Sequence, residues 1–252
     1  MIITWAIASR SLKLIPRIPS TFLPSLLMPI FMTVAFAGAF SGISAIPGFP
    51  AEKAVDWFLP MSALMAAGFS GITTGLGVAR ELENGFYSRF LVSPASRMSL
   101  MNGNLLASAL RSLIPLASVL LLGLIWRANF KGGLVGFATL LVASTGIAAV
   151  SGAWSVAIAY RLKSQNAAPL MQTALFLGLF LSTAQMPLEL LSGWLKRVAR
   201  FNPLTPVMEI ARFEFLGGQT WEGTWPGLVS LAGLFAVTFL FAARSLNRLS
   251  AQ

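Results

Sequence analysis

The side chains that carry most enzyme chemistry are scarce in this sequence. Its 252 residues include no cysteine and no histidine, and only eight are acidic. The chain therefore has no thiolate metal ligand, no disulfide and no imidazole base. It also lacks the Gly-x-Ser-x-Gly and His-Glu-x-x-His patterns of hydrolases and the Gly-x-x-x-x-Gly-Lys-(Ser/Thr) phosphate loop. The sequence predicts a protein that is not an enzyme and binds no metal or cofactor of its own.

The polar residues lie mainly between long apolar stretches, and residues 80–97 form the most informative polar segment. Leu82, Phe86 and Phe90 recur at a spacing of four, which predicts a short helix with one apolar edge. Charged side chains of both signs remain for its polar side. Exposed aromatic rings beside mixed charge indicate a surface that docks another protein. The alternative interpretation is a helix that lies on lipid.

A second segment, residues 187–212, is too apolar to be a plain external loop, because it includes side chains such as Trp194. It contains the run Asn202-Pro203-Leu204-Thr205-Pro206, and Glu209 and Arg212 follow at a spacing of three. That spacing predicts an i, i+3 pair on a helix that starts near the second proline of the run.

Six apolar stretches must position these segments. They are Ile18–Ala51, Trp57–Ala79, Met98–Trp126, Gly132–Tyr160, Ser164–Leu188 and Gly223–Ala243. Each exceeds the about 20 residues that a helix needs to cross a bilayer, and none alternates in the manner of a barrel strand. Charged residues make up only 10% of the chain, far fewer than in a soluble protein. The sequence predicts an all-α, polytopic membrane protein with six transmembrane helices in a single domain, residues 1–252.

The net charge of +10 is distributed unevenly between the two sides of such a membrane domain. If the N-terminus is cytoplasmic, the cytoplasmic segments carry 11 basic and two acidic residues, a net +9. The opposite side carries seven basic and six acidic residues, a net +1. Basic residues are retained on the cytoplasmic side, so both termini and residues 80–97 are predicted to be cytoplasmic. This distribution accounts for the basic charge without nucleic acid as a partner.

The N-terminal segment carries Arg10, Lys13 and Arg17 on one helical stripe and apolar residues on another. This pattern predicts an amphipathic helix in the plane of the lipid headgroups. The simpler interpretation is a basic flank that only sets the orientation. Both interpretations place the segment on the cytoplasmic surface.

A few polar or small residues within the apolar stretches have two open interpretations each. Arg111 either pairs near the cytoplasmic end of the third stretch or contacts an anionic substrate. Gly71 and Gly75 allow close helix approach, either between two copies of the chain or within one. Four polar residues of the fifth stretch either line a translocation pathway or bond a neighbouring helix. These four are Gln172, Ser182, Thr183 and Gln185.

The segment 80–97 resembles a loop of the type-2 ABC exporter permeases, the group that contains daunorubicin-resistance and nodulation-factor export proteins. The family consensus is approximately Arg-Glu-Arg-Glu-x-Gly-Thr-Leu-Glu-x-Leu-Leu-x-(Ser/Thr)-Pro. The matching residues are Arg80, Glu81, Glu83, Gly85, Leu91, Ser93 and Pro94. The sequence departs from the consensus at Phe86-Tyr87-Ser88, where the family often has Thr-Leu-Glu. Residues 187–212 resemble the family's paired outer helices and its Asn-Pro-Leu-Thr element, so the likeness covers essentially the whole chain.

The resemblance implies specific roles for these segments. The helix between the second and third spans would couple the permease to an ATPase through Glu81, Glu83, Gly85, Phe86, Arg89 and Phe90. The outer helices would re-enter the membrane between spans five and six, an element that contains Trp194, Asn202, Pro203, Glu209 and Arg212. ATP and Mg would be bound by two copies of a separate ABC ATPase subunit, and a second permease, identical or paralogous, would complete a dimer.

The apolar surroundings favour an amphipathic drug, lipid or glycolipid as the exported substrate, and the resemblance implies a bacterial cytoplasmic membrane. The alternative function is an ATP-independent secondary transporter or channel. Ion-coupled carriers usually place Asp, Glu or His at membrane depth, and the six apolar stretches contain none of these.

Overall fold

A computed structural model describes residues 2–13, 19–85 and 96–249, which form ten α-helices and no strand. The helices are α1 (Ile2–Lys13), α2 (Pro19–Ala39), α3 (Ala54–Glu83), α4 (Arg97–Arg111), α5 (Leu113–Ile125), α6 (Gly133–Leu162), α7 (Ala168–Phe180), α8 (Gly193–Phe201), α9 (Leu204–Leu216) and α10 (Trp221–Leu249). Short 3₁₀ turns occupy Ile43–Ala45 and Gln165–Ala167. The all-helical prediction is confirmed for this part of the chain.

Four helical segments within the described ranges are long and apolar enough to cross a membrane: α3, the pair α4–α5, α6 and α10. The apolar part of α2, Leu26–Ala39, is shorter. Helix α7 has 13 residues, which at 1.5 Å per residue reach only about 20 Å. It ends where Ser182 bonds its own backbone neighbours, accepting from the Ala184 N–H at 3.2 Å and donating to the Leu179 carbonyl at 2.6 Å. Such local bonds compete with helix continuation, so the fifth apolar stretch is helical over only part of its length.

Helix α3 is the centre of the fold, because almost every residue from Ala54 to Ala79 is buried. It packs most extensively on α6, along a seam of small residues. The hydroxyl of Ser151 donates to the Gly68 carbonyl at 3.0 Å, and that of Ser155 donates to the Gly71 carbonyl at 3.0 Å. The glycines of α3 thus permit close packing within one copy of the chain, which decides between the two interpretations of the glycine spacing.

The third apolar stretch contains a break at Ser112, between α4 and α5. Pro115 has no N–H to donate to the carbonyl four residues earlier, and this lost bond accounts for the interruption. Helix α1 packs on α4, where Gly103 allows its backbone to approach: a Cβ at Gly103 would lie 2.9 Å from the Thr4 carbonyl oxygen.

A polar cluster ties the start of α3 to the connection between α5 and α6. The buried carboxylate of Asp56 accepts from both the backbone N–H and the side-chain amide of Asn129 at 2.9 Å. Lys131 donates to Glu52 and holds the pKa of that carboxyl below its ordinary value. These bonds join segments that lie more than 70 positions apart in the sequence, as the Asp56–Asn129 separation of 73 residues shows.

Candidate functional site

The C-terminal half of α3 is bonded to three other parts of the fold, and it ends directly before the segment expected to couple the chain to an ATPase. Its first bond is the ion pair between Glu81 and Arg10 of α1. The Glu81 side chain is 26% exposed and that of Arg10 is 43% exposed, so the pair is partly shielded from water. This contact gives Arg10 of α1 a defined partner, which the sequence pattern alone did not identify.

Gln165, in the turn between α6 and α7, makes the second connection. Its backbone N–H donates to Glu83 at 2.8 Å, and its side-chain amide also donates to Glu83. Its amide oxygen accepts from the Arg80 guanidinium at 3.1 Å. One glutamine therefore joins two residues of the Arg-Glu-x-Glu motif to the start of α7.

Arg111 makes the third connection, at the break between α4 and α5. Its guanidinium donates to the Ser11 carbonyl at 3.1 Å and contacts the Thr73 hydroxyl at 3.4 Å. These bonds link α1 to α3, so the pairing interpretation of Arg111 agrees with its contacts. The C-terminal half of α3, α1, the end of α4 and the turn before α7 thus form one bonded unit. We call this unit the junction: Arg10, Thr73, Arg80, Glu81, Glu83, Arg111 and Gln165.

Gly85 follows the C-terminal end of α3, two residues after Glu83. Its φ of +67° is a left-handed value that glycine adopts without strain, and its N–H bonds the Leu82 carbonyl at 3.2 Å. This conformation explains the glycine of the motif. The other predicted coupling residues, Phe86, Arg89 and Phe90, lie outside the described residues. After residues 86–95, the hydroxyl of Ser96 caps α4 by accepting a hydrogen bond from the Ser99 N–H at 3.2 Å.

At the other end of the molecule, Asn202 joins three helices. Its side-chain amide donates to the Gly178 carbonyl of α7 at 2.7 Å, and its oxygen accepts from the Leu204 N–H at 2.9 Å. The Thr205 hydroxyl bonds the Ala199 carbonyl at 2.6 Å. The Asn-Pro-Leu-Thr run therefore fixes the angle between α8 and α9. Helix α9 begins at Leu204, two residues before the expected start, and Trp194 of α8 is 65% exposed.

Arg212 lies almost completely buried between α9, α3 and the end of α7. Its guanidinium stacks on the Trp57 ring, 3.6 Å from the ring centroid, and donates to the carbonyls of Thr183 and Ala184. Within the described residues, the hydrogen-bond partners of the Arg212 guanidinium are those two carbonyls and the Thr183 hydroxyl. Glu209 interacts with the guanidinium by electrostatic attraction without a hydrogen bond.

A cleft of about 400 Å³ opens beside this arginine. Glu189 and Glu209 line it together with Trp57, Thr183 and Arg212. Of the four polar residues of the fifth apolar stretch, Thr183 lies at this cleft, and Ser182 is buried in the turn described above. Gln172 on α7 and Gln185 beyond it are half-buried. Their role in a translocation pathway stays a prediction.

Sequence reasoning missed Gln165 and Trp57. Gln165 stands in a short polar turn that carries no recognisable motif, and its partner Glu83 is 82 positions away. Trp57 is one of the seven tryptophans of the chain and stands at the start of an apolar stretch, where it looks like any other core residue. No local pattern could have identified either contact.

Comparison with known proteins supplies a family. The family model described as "ABC-2 type transporter" matches residues 3–216. A daunorubicin resistance ABC transporter permease of Streptomyces coeruleorubidus is 25% identical over 235 residues, which cover 90% of this chain and 80% of the relative. A putative transport permease of Cyanophora paradoxa is 27% identical, covering 78% and 68%. A probable doxorubicin resistance ABC transporter permease of Mycobacterium tuberculosis is 23% identical, covering 71% and 65%.

Proposed function

This chain belongs to the ABC-2 type transporter family, and from that premise we propose that it is the permease of an ATP-driven exporter. Two copies of the permease, identical or paralogous, act with two ATPase subunits that bind ATP and Mg. The single observation that carries the proposal is the family match across residues 3–216. An exporter is favoured over an ATP-independent secondary transporter or channel because the named relatives are ABC transporter permeases.

The junction supports a route for coupling within this proposal. Residues 86–95 contact the ATPase, and α3 ends at Glu83, directly before Asn84 and Gly85. A displacement of the segment pulls on α1 through Arg10 and on the start of α7 through Gln165, because both bond the last turns of α3. The motif glutamates therefore act as internal connections, and the aromatic residues that follow them act as the docking surface.

The substrate is an amphipathic molecule, and a drug is favoured over a lipid or glycolipid. Two of the relatives are named for resistance to daunorubicin and doxorubicin, which supports this choice. The cleft beside Arg212 presents the carboxylates of Glu189 and Glu209 to a molecule that leaves the translocation pathway.

Removal of the Phe86 ring tests the docking role. Covering a phenylalanine side chain contributes about 1.5–3 kcal/mol, so Phe86→Ala should weaken ATPase association by roughly tenfold to over a hundredfold. Co-purification of the ATPase and transport into reconstituted vesicles measure the two effects. The matched control is Phe137→Ala, which removes an exposed ring of α6 far from the segment in sequence. Full association and transport in Phe86→Ala would contradict the docking role.

A second variant, Gln165→Leu, measured with the same two assays, separates ATPase docking from the transmission of motion through the junction. This change removes the side-chain bonds to Glu83 and Arg80 and leaves residues 86–95 untouched. It should retain ATPase binding and ATP hydrolysis while lowering the amount of substrate moved per ATP. The control is Asn166→Leu, a neighbouring exposed position. Equal transport in the two variants would contradict a role of the junction in coupling.

The six-span topology with cytoplasmic termini is also part of the proposal, with α2 and the α7 segment as the two shorter crossings and α8 and α9 as the re-entrant outer pair. The chain contains no cysteine, so single cysteines can be placed at Ser88 and Gln219 without background. In intact bacterial cells, an impermeant maleimide should label the cysteine at Gln219 and not the one at Ser88. The reverse labelling pattern would overturn the orientation.

A further inference from the structure

Helix α8 has two chemically different edges. At 100° per residue, Trp194, Val198 and Phe201 share one edge, and these side chains are 65%, 39% and 85% exposed. Lys196 and Arg200 occupy the opposite side. In a multi-pass membrane protein, an apolar edge as open as this one requires either lipid or another protein to cover it.

The apolar edge borders a groove of about 540 Å³ between α8 and α7. Leu177 and Leu181 line one wall, and Val198 and Phe201 line the other. The 2.7 Å bond from Asn202 to the Gly178 carbonyl holds the two helices at this distance. The groove is thus a shallow, open apolar surface between the two helices rather than an enclosed pocket.

Among the residues that the structure describes, Arg197 is the only charged one that lines this groove. Within the described ranges it has no hydrogen-bond or ion-pair partner, whereas Lys196 of the same helix donates to the Glu189 carbonyl at 3.3 Å. A planar guanidinium binds phosphate oxygens with two parallel hydrogen bonds. A cationic donor beside an apolar surface fits a ligand that has an anionic head and a hydrocarbon chain.

We propose that the groove between α7 and α8 binds an anionic phospholipid, with its phosphate on Arg197 and an acyl chain against Leu177, Leu181 and Phe201. The lipid is a resident component that covers the open edge of α8 and fixes that helix in the headgroup region. The inference requires only that the chain is a membrane protein, so it stands independently of the ATPase, the substrate and the direction of transport.

Native mass spectrometry of the full chain in mild detergent tests the proposal, with phosphatidylglycerol and phosphatidylcholine added at equal concentration. Phosphatidylglycerol should be retained preferentially, and Arg197→Gln should reduce its retention about tenfold. Arg200→Gln is the matched control, because it removes the same charge from the same helix but lies outside the groove lining. Both arginines are exposed, so the substitutions preserve the fold.

Equal losses in the two arginine variants would overturn the site, since they would indicate general attraction to basic charge. Equal retention of both lipids would overturn the preference for an anionic phospholipid, because both lipids carry a phosphate and differ in net headgroup charge. Displacement of the lipid by millimolar inorganic phosphate would reassign Arg197 to a free anion. A single cysteine at Phe201 provides an independent check. If it forms a disulfide between two copies of the chain in native membranes, a second permease covers this edge and the lipid assignment is wrong.

Discussion

Replacement of Arg212 by methionine is expected to destabilise the permease by about 3–5 kcal/mol. The change leaves the buried carbonyls of Thr183 and Ala184 without their donor and uncovers the Trp57 ring on which the guanidinium stacks. The free energy lost corresponds to a fall in the unfolding temperature on the order of 10 °C for a chain of this size. Fluorescence-detected size-exclusion chromatography after heating in detergent measures this shift.

Two further variants identify the cause of that loss. Arg212→Lys keeps the charge but replaces a planar fork with a single ammonium, so most of the destabilisation should remain. Arg200→Met makes the methionine substitution at an exposed arginine on the neighbouring helix and should change stability by less than about 0.5 kcal/mol. If Arg212→Met unfolds at the same temperature as Arg200→Met, the buried arginine does not hold α9, α3 and the end of α7 together.

Substitution of Gly71 by alanine should disrupt the packing of α3 on α6. A Cβ at this position would lie 2.5 Å from both the Ala148 carbonyl oxygen and the Gly152 backbone nitrogen. Because both obstacles are backbone atoms, α6 itself has to move away, and the Ser155 bond to the Gly71 carbonyl lengthens. Overpacking of this kind costs about 1–3 kcal/mol or more. Yield of folded protein after membrane extraction and its unfolding temperature report the effect.

Gly77→Ala is the matched control on the same helix. A Cβ there would meet no atom within 4 Å, and alanine favours a helix over glycine by up to about 1 kcal/mol. Gly77→Ala should therefore be neutral or stabilising, whereas Gly71→Ala is strongly destabilising. If both substitutions have the same effect, the seam does not depend on the missing side chain of Gly71.

The sequence by itself determined the features that depend on local composition. Long apolar stretches predict helices, because a backbone in lipid must satisfy its hydrogen bonds within its own segment. The loop motif and the Asn-Pro-Leu-Thr element together were enough to predict the family, because each lies in one continuous segment. The end of α3 and the capped start of α4 have local causes that the structure shows: a left-handed Gly85 and the Ser96 hydroxyl that accepts from the Ser99 N–H.

The contacts that give those residues a role were decided only by the tertiary structure. Glu81 meets Arg10 across 71 positions, and Glu83 meets Gln165 across 82. The sequence showed charged residues in the first pair and a glutamate with a neutral glutamine in the second, but it offered several partners for each one. Gly71 was equally suited to contact another copy of the chain or α6, and Arg212 was expected to pair with Glu209 on its own helix. Hydrophobic patterns specify which residues leave water, whereas long-range partners depend on how whole helices pack, and that packing is not encoded in any local spacing.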